Sequence, residues 1–127
     1  KRNNLRMTEY INDMDVCLAA ADLVICRSGA STLAELEAAG RASILIPSPI
    51  VAGNHQYHNA MVLGKAGAAV VVEQKDASPK RIISEIEKLY NSPDTVAVMS
   101  QSAAKLHLSD TNERILAVID KLIAKKK

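Results

Sequence analysis

Short apolar runs alternate with longer segments of helical periodicity along this chain. The apolar runs predict four strands, at residues 5–7, 23–26, 43–46 and 68–72. Segments whose apolar residues lie three and four apart predict helices at about residues 13–20, 33–39, 55–66, 79–89, 93–106 and 111–124. Because strands and helices alternate through short loops, the pattern predicts an α/β fold with a parallel sheet of about four strands, flanked by helices.

Particular residues mark where several of these helices begin and end. In Ser78-Pro79 and Ser92-Pro93, a serine precedes a proline, and proline is favoured in the first turn of a helix. Gly40 and Gly67 follow helical segments and are expected to end them. The last helix has an amphipathic pattern, with apolar residues at Ile115, Leu116, Val118, Ile119 and Leu122.

Composition narrows the class of protein. The chain has 127 residues, enough for one domain with a hydrophobic core. Hydrophobic residues make up 48% and aromatic residues only 2%, so the core is aliphatic, as in parallel sheets covered on both faces. The net charge of +2 comes without the basic and aromatic pattern of nucleic-acid-binding proteins, which argues against that class.

The two cysteines, Cys17 and Cys26, both fall in apolar periodic segments. We expect two buried thiols, with neither a disulfide nor a metal site, and therefore a reducing compartment. No apolar run is long enough to cross a membrane, and no signal peptide is recognisable.

The most informative segment joins the second apolar run to the helix that follows. It contains the small residues Gly29, Ala30 and Ser31, which would let a phosphate approach the backbone at a helix N-terminus. Glu35, one turn further, can accept hydrogen bonds from sugar hydroxyls, and a phosphate beside a diol indicates a nucleotide. An equally favoured alternative is a capping box, in which Thr32 caps the helix and Glu35 bonds back to it.

A second polar cluster opens the third helix. Gln56 and Asn59 are three residues apart, so they share a helical face and can bind sugar hydroxyls. Alternatively, Asn54 caps this helix and the other polar residues are solvated. His55 and His58 share a face as well, but two histidines without a nearby carboxylate or thiol do not predict a metal site.

Three polar loops follow predicted strands, at residues 9–11, 27–32 and 47–59. The carboxyl ends of parallel strands lie at one edge of the sheet, where ligands bind in such folds. We therefore expect these loops to converge on one site.

Residues 21–35, from Ala21 to Glu35, resemble the donor-site signature of the MurG family of peptidoglycan glycosyltransferases. The resemblance continues through residues 47–67, with Asn54-His55-Gln56 and Asn59-Ala60, and also includes residues 10–14. It extends to about residue 74 and weakens beyond. It implies a Rossmann-like sheet that is part of a GT-B donor domain.

The resemblance also implies roles for individual residues. Ile11 would meet the uracil through its backbone, residues 30–32 would offer helix N-terminal groups to the diphosphate, and Glu35 would hold the ribose. Gln56, together with Asn59, would hold hydroxyls of the N-acetylglucosamine ring. The site expected for UDP-N-acetylglucosamine comprises Ile11, Ser28, Gly29, Ala30, Ser31, Thr32, Glu35, Gln56 and Asn59. The family uses no metal or other cofactor in its donor contacts, and this chain offers no convincing catalytic base.

The function that the resemblance implies is binding of UDP-N-acetylglucosamine for transfer to lipid I, giving lipid II, at the cytoplasmic face of the plasma membrane. Residues 1–127 would form a single truncated donor domain that lacks the acceptor domain, upstream strands and the lipid-linked acceptor's binding site. The missing strands would expose a sheet edge, through which a homodimer can form. Two alternatives are the donor-binding subunit of a two-chain transferase and an engineered or structural fragment without activity.

Overall fold

The computed structural model describes residues 4–50, 54–107 and 111–125, with no side-chain description for residues 111–114. The strands are β1 (Val24–Cys26), β2 (Ser43–Leu45) and β3 (Ala69–Val71). The helices are α1 (Met14–Ala20), α2 (Ala30–Ala39), α3 (His55–Lys65), α4 (Pro79–Tyr90), α5 (Pro93–Leu106) and α6 (Thr111–Lys125). A short 3₁₀ helix at Gln74–Asp76 precedes α4.

The strands form one parallel sheet in the order β1-β2-β3. Cys26 pairs with Leu45 and Leu45 pairs with Val71, so the last residues of all three strands are in register. The predicted α/β fold with a parallel sheet flanked by helices is therefore confirmed. The loops after the strands all begin at this one edge, where ligands bind in open α/β sheets.

The predicted strand at residues 5–7 is wrong. These residues lie in irregular backbone, and the side chains of Leu5 and Met7 are 66% and 87% exposed. The run is only three residues long, with a charged Arg6 at its centre, so it offers too little apolar surface to join the sheet. Among the described residues, the sheet has three strands instead of about four.

The sheet has an aliphatic core on each face. Ile44 and Leu45 are neighbours on β2, so their side chains point to opposite faces. Leu45 packs in a cluster with Leu33 and Leu36 of α2 and Leu63 of α3. The second cluster contains Ile44 together with Ala42, Val72, Leu89 and Met99, which brings α4 and α5 onto the other face.

The predicted helix boundaries follow local signals. Ser78 caps α4, since its Oγ accepts a hydrogen bond from the Arg81 amide at 3.1 Å, and Pro79 is the first helical residue. Gly40 ends α2 in the left-handed conformation, with φ of 63°, and Gly67 follows α3 with φ of 77°.

The prediction of two buried thiols is wrong for Cys17. That side chain is exposed on α1, with Sγ 3.8 Å from Oδ1 of Asp13. It lies one residue before Leu18, the buried residue of α1, and therefore on a different side of the helix. Cys26 is half-buried at the end of β1, and both thiols are free.

Two surfaces lack a neighbour among the described residues. β1 and β3 each pair with another strand on one side only, and a homodimer through such an edge stays a prediction. The large apolar side chains of α6 are all at least 44% exposed: Ile115, Leu116, Val118, Ile119, Leu122 and Ile123. No described helix is both long enough and apolar enough to cross a membrane.

Candidate nucleotide-binding site

The turn between β1 and α2 exposes helix N-terminal amides. Gly29 precedes the helix with extended backbone, and Leu33 makes the first intrahelical bond, from its N–H to the Gly29 carbonyl at 3.0 Å. The amides of residues 30–32 consequently have no acceptor within the helix. Among the described residues, a Cβ added at Gly29 would meet only Nε2 of Gln56, at 3.9 Å, so they leave room beside the turn.

The capping-box alternative is wrong. The helix begins at Ala30, which makes Thr32 its third residue and leaves Gly29 at the cap position. Thr32 is inside the helix, so its side chain cannot act as the N-cap. The amides of the first turn, the positive end of the helix dipole, thus remain available to an anion.

Gln56 joins this turn to two other parts of the site. Its Oε1 accepts a hydrogen bond from the amide of Ser48 at 2.9 Å and a second from the amide of Ser28 at 3.3 Å. Ser48 follows β2, Ser28 follows β1, and Gln56 is in the first turn of α3. One side-chain oxygen therefore holds two strand-end loops against a helix N-terminus.

Ser28 is fully buried and has polar contacts in three directions. Besides its amide bond to Oε1, its Oγ donates to the backbone carbonyl of Gln56 at 2.6 Å. Its own carbonyl accepts from Nδ2 of Asn59 at 3.4 Å. The hydroxyl of Ser28 faces α3 and is closed off from solvent, so direct contact of that hydroxyl with a ligand would need this packing to open.

The structure differs from the alternative prediction for the second polar cluster, in which Asn54 caps α3 and the other polar residues are solvated. Asn54 precedes α3 in the left-handed conformation, with φ of 54°, and its side chain makes no capping bond. Gln56 and Asn59 are half-buried and bonded to the Ser28 backbone. Both predicted sugar-binding amides therefore lie beside the α2 turn.

Glu35 lies apart from the Gln56 and Asn59 side chains, on the side of α2 that faces α1. It borders a groove of about 410 Å³ with Met14, Asp15 and Leu18 of α1. Ile11 is 39% exposed and borders a separate hollow with Asp13 and Cys17. Gln56 thus joins two of the three loops expected to converge, those after β1 and β2. Ile11, in the third loop, lies outside the groove that Glu35 borders.

Two features of this edge of the sheet were not predicted from the sequence. Arg27 follows β1, and its Nη1 donates to the Ile46 carbonyl after β2 at 3.2 Å, which places a cation at this edge of the sheet. Ser48 contributes only its backbone amide, which no side-chain pattern can reveal. A cation directly before a small-residue turn is the sequence signal by which Arg27 could have been found.

Burial raises the pKa of the Cys26 thiol. His58 packs edge-on against Tyr57, with the ring centroids 5.8 Å apart. Within the described part of the chain, no three His, Cys, Asp or Glu side chains come together as metal ligands.

Comparison with known proteins places this geometry in a family. The sequence matches the Glycosyltransferase family 28 C-terminal domain over residues 1–115. A protein of Thermoanaerobacter sp. is 44% identical over 115 residues, which are 91% of this chain and 32% of that protein. A protein of Acetivibrio thermocellus is 41% identical over 126 residues, 99% of this chain and 34% of that protein. Both are named UDP-N-acetylglucosamine--N-acetylmuramyl-(pentapeptide) pyrophosphoryl-undecaprenol N-acetylglucosamine transferase.

Solved structures agree with this placement. The crystal structure of Acinetobacter baumannii MurG matches with a TM-score of 0.78 at 29% identity, over 88% of this chain and 32% of that one. Glycosyltransferase VinC, solved in complex with dTDP, matches with a TM-score of 0.72 at 18% identity, over 94% of this chain and 30% of that one. The second likeness shows the fold alone.

The parallel sheet, its helices and these neighbours define a Rossmann-like domain of the GT-B glycosyltransferase class. Within that class, the chain belongs to glycosyltransferase family 28, whose C-terminal domain it matches over most of its length. The resemblance found in the sequence is thereby confirmed. The chain spans about a third of the length of the curated relatives it matches.

Proposed function

We propose that this chain is the donor-binding domain of a transferase that moves N-acetylglucosamine from UDP to a lipid-linked acceptor in peptidoglycan synthesis. The observation that carries the proposal is the open turn between β1 and α2. Its helix amides at residues 30–32 are free of intrahelical acceptors, and Gln56 and Asn59 lie beside it. An anion at the turn and a sugar beside the two amides together describe a nucleotide sugar.

The groove between α1 and α2 supplies the proposed site of the nucleoside. Met14 and Leu18 give it an apolar wall, and Glu35 gives it a carboxylate that can accept from ribose hydroxyls. Glu35 is five residues beyond Ala30, about 7.5 Å along the helix axis. A ligand that reaches both must therefore lie along α2, with its diphosphate at the turn and its nucleoside further up the helix.

In this proposal, the chain acts on the leaving group. As the bond between the sugar and UDP breaks, negative charge grows on the diphosphate, and the α2 amides are already directed at that position. Fixed donors of this kind stabilise developing charge without reorganising during the reaction. The acceptor hydroxyl and the base that activates it belong to the remainder of the enzyme.

The proposal places the protein at a membrane surface from the cytoplasmic side. The names of its relatives specify an undecaprenol-linked acceptor, which is a membrane lipid. A domain that holds the soluble donor can remain in water, while the acceptor site, outside this domain, meets the lipid.

Calorimetric titration of the 127-residue chain with UDP, 2′-deoxy-UDP and UDP-N-acetylglucosamine tests the proposal. We expect saturable binding of all three, with UDP bound more tightly than its 2′-deoxy analogue. Glu35→Ala should remove that preference and weaken UDP binding at least tenfold, because a hydrogen bond to a charged group contributes about 1.5–3 kcal/mol.

Glu37→Ala is the matched control, since it removes the same charge from the same helix. Glu37 is two residues further along α2 and therefore points to another side. It should leave all three affinities unchanged. A folded wild-type chain that binds none of the nucleotides, or a loss of affinity that is equal in the two variants, would rule the proposal out.

A further inference from the structure

Ser28 is a binding-site residue in the sequence prediction, yet its side chain faces the protein interior. It is fully buried, and its Oγ donates to the Gln56 carbonyl at 2.6 Å. Its backbone N–H bonds to Gln56 Oε1 and its backbone carbonyl to Asn59 Nδ2. One buried residue therefore contacts both amides to which the proposed function assigns the sugar.

These contacts fix which way the Gln56 amide is turned. Oε1 accepts from the amides of Ser48 and Ser28, at 2.9 and 3.3 Å. If the amide were flipped, its NH₂ group would face two N–H donors, and both bonds would be lost. Nε2 must therefore be the end that is left for a ligand, and it lies on the side of Gly29, 3.9 Å from where a Cβ would be.

Asn59 is turned in the opposite sense. Its Nδ2 donates one N–H to the Ser28 carbonyl, so Oδ1 points away from that carbonyl and is left as an acceptor for a ligand, beside the second N–H of Nδ2. Gln56 therefore offers only donors, and Asn59 adds an acceptor on the same face of α3. A sugar hydroxyl can accept a hydrogen bond from Gln56 Nε2 and donate one to Asn59 Oδ1. Two neighbouring hydroxyls of a sugar can share these two bonds in the same way.

We infer that Ser28 is a positioning residue, which sets Gln56 as the donor and Asn59 as the acceptor for hydroxyl groups of the transferred sugar. This inference rests on the proposed function and divides its site into two parts. The α2 amides would recognise the diphosphate of any such nucleotide. The network around Ser28 would recognise only the sugar, through Gln56 and Asn59, while Ser28 itself does not touch the ligand.

Hydrogen exchange of the ligand-free chain tests the network itself. Ser28 and Ser48 lie in loops, yet their amides should be protected because both bond to Oε1. Gln56→Ala should remove the protection of both amides together. Amides of Ser28 and Ser48 that exchange like open loops in the wild-type chain would overturn the inference without any ligand.

Titration with UDP and UDP-N-acetylglucosamine tests the effect on the sugar. Ser28→Ala keeps the backbone bonds to Gln56 Oε1 and Asn59 Nδ2 but removes the Oγ bond that holds the Gln56 main chain. It should therefore lower the affinity for UDP-N-acetylglucosamine relative to UDP by about fivefold, the weight of one hydrogen bond, and leave UDP binding unchanged. Ser43→Ala, at another fully buried serine, is the control and should leave the ratio unchanged.

The outcomes separate the inference from the proposed function. An unchanged ratio in Ser28→Ala, or an equal loss of both nucleotides, overturns the positioning role while the donor site stands. If the wild-type chain binds neither nucleotide, the proposed function is wrong. Hydrogen exchange of the Ser28 and Ser48 amides then shows, without a ligand, whether the network around Ser28 exists.

Discussion

Two fully buried serines should respond in opposite directions to the same substitution. Ser28 Oγ donates at 2.6 Å to the Gln56 carbonyl, whereas Ser43 Oγ has no hydrogen-bond partner among the described residues. Ser28 lies at the edge of the candidate site, and Ser43 lies in the central strand between two buried neighbours, Ala42 and Ile44. Replacement by alanine removes one oxygen atom in each case, so the change in volume is matched.

The magnitudes follow from the partners of each hydroxyl. Ser28→Ala loses a hydrogen bond worth about 1 kcal/mol and leaves part of the Gln56 carbonyl unsatisfied, so we expect a loss of roughly 1–2 kcal/mol in the free energy of unfolding. A buried hydroxyl without a partner costs about 1–3 kcal/mol. Removing it from Ser43 leaves a small void that cancels part of the gain, so we expect an increase of roughly 0.5–2 kcal/mol.

Urea and thermal unfolding of the two variants at neutral pH measure this difference. For a domain of this size, 1 kcal/mol corresponds to roughly 4 °C in Tm, so the midpoints of the two variants should lie about 6–16 °C apart, on either side of the wild-type value. The reasoning is refuted if Ser43→Ala destabilises the chain as much as Ser28→Ala. That result would mean that Ser43 has a partner in solution, such as a bound water.

Three further changes test other parts of the structure. Gly29→Ala should leave the free energy of unfolding within about 1 kcal/mol of wild type, because the Gly29 backbone is extended and the new Cβ meets, among the described residues, only Gln56 Nε2 at 3.9 Å. Its methyl group should nevertheless weaken UDP binding in calorimetry at least tenfold. Gly40→Ala should cost about 1–2 kcal/mol in urea unfolding, because φ is 63° and the new Cβ lies 3.2 Å from Ala104 Cβ. Thiol labelling followed by mass spectrometry should modify Cys17 before Cys26, and because burial raises the pKa of Cys26, its labelling should speed up only at more alkaline pH than that of an ordinary thiol.

The elements of the fold that the sequence predicted well are those with local causes. Ser78 caps its helix from the position next to Pro79, and Gly40 ends α2 because it adopts a left-handed conformation that other residues avoid. These features depend on a few consecutive residues, which the sequence displays directly. The parallel sheet follows in turn, since helices that cross between short strands place those strands side by side.

The wrong predictions concern which surface of the protein packs against a residue. The apolar residues of 5–7 fit a strand, but no described strand pairs with them, and Leu5 stays exposed. Cys17 has an apolar neighbourhood in sequence, yet α1 buries only Leu18. Burial depends on the surface that packs against a side chain, and periodicity along one segment does not identify that surface.

The candidate site shows the same division between local and distant causes. The turn at residues 28–32 was identified because small residues between a strand and a helix are visible in the sequence. The exact start of α2 was not, and the alternative of Thr32 as a cap depended on it. Contacts of Gln56 with Ser28 join residues 28 positions apart, and no local pattern predicts them.

Gln56 therefore has two roles that a simple substitution would merge. Its Oε1 holds the loops after β1 and β2, and only its Nε2 remains for a ligand. Gln56→Ala would remove both at once, so a loss of nucleotide binding in that variant would not identify a contact with the sugar. Ser28→Ala keeps the Gln56 side chain, its Nε2 and the backbone bonds to Oε1, and it removes only the Oγ bond that anchors the Gln56 main chain. A change in sugar preference in Ser28→Ala, with UDP affinity preserved, is therefore stronger evidence for how this edge of the sheet works than the loss of Gln56 itself.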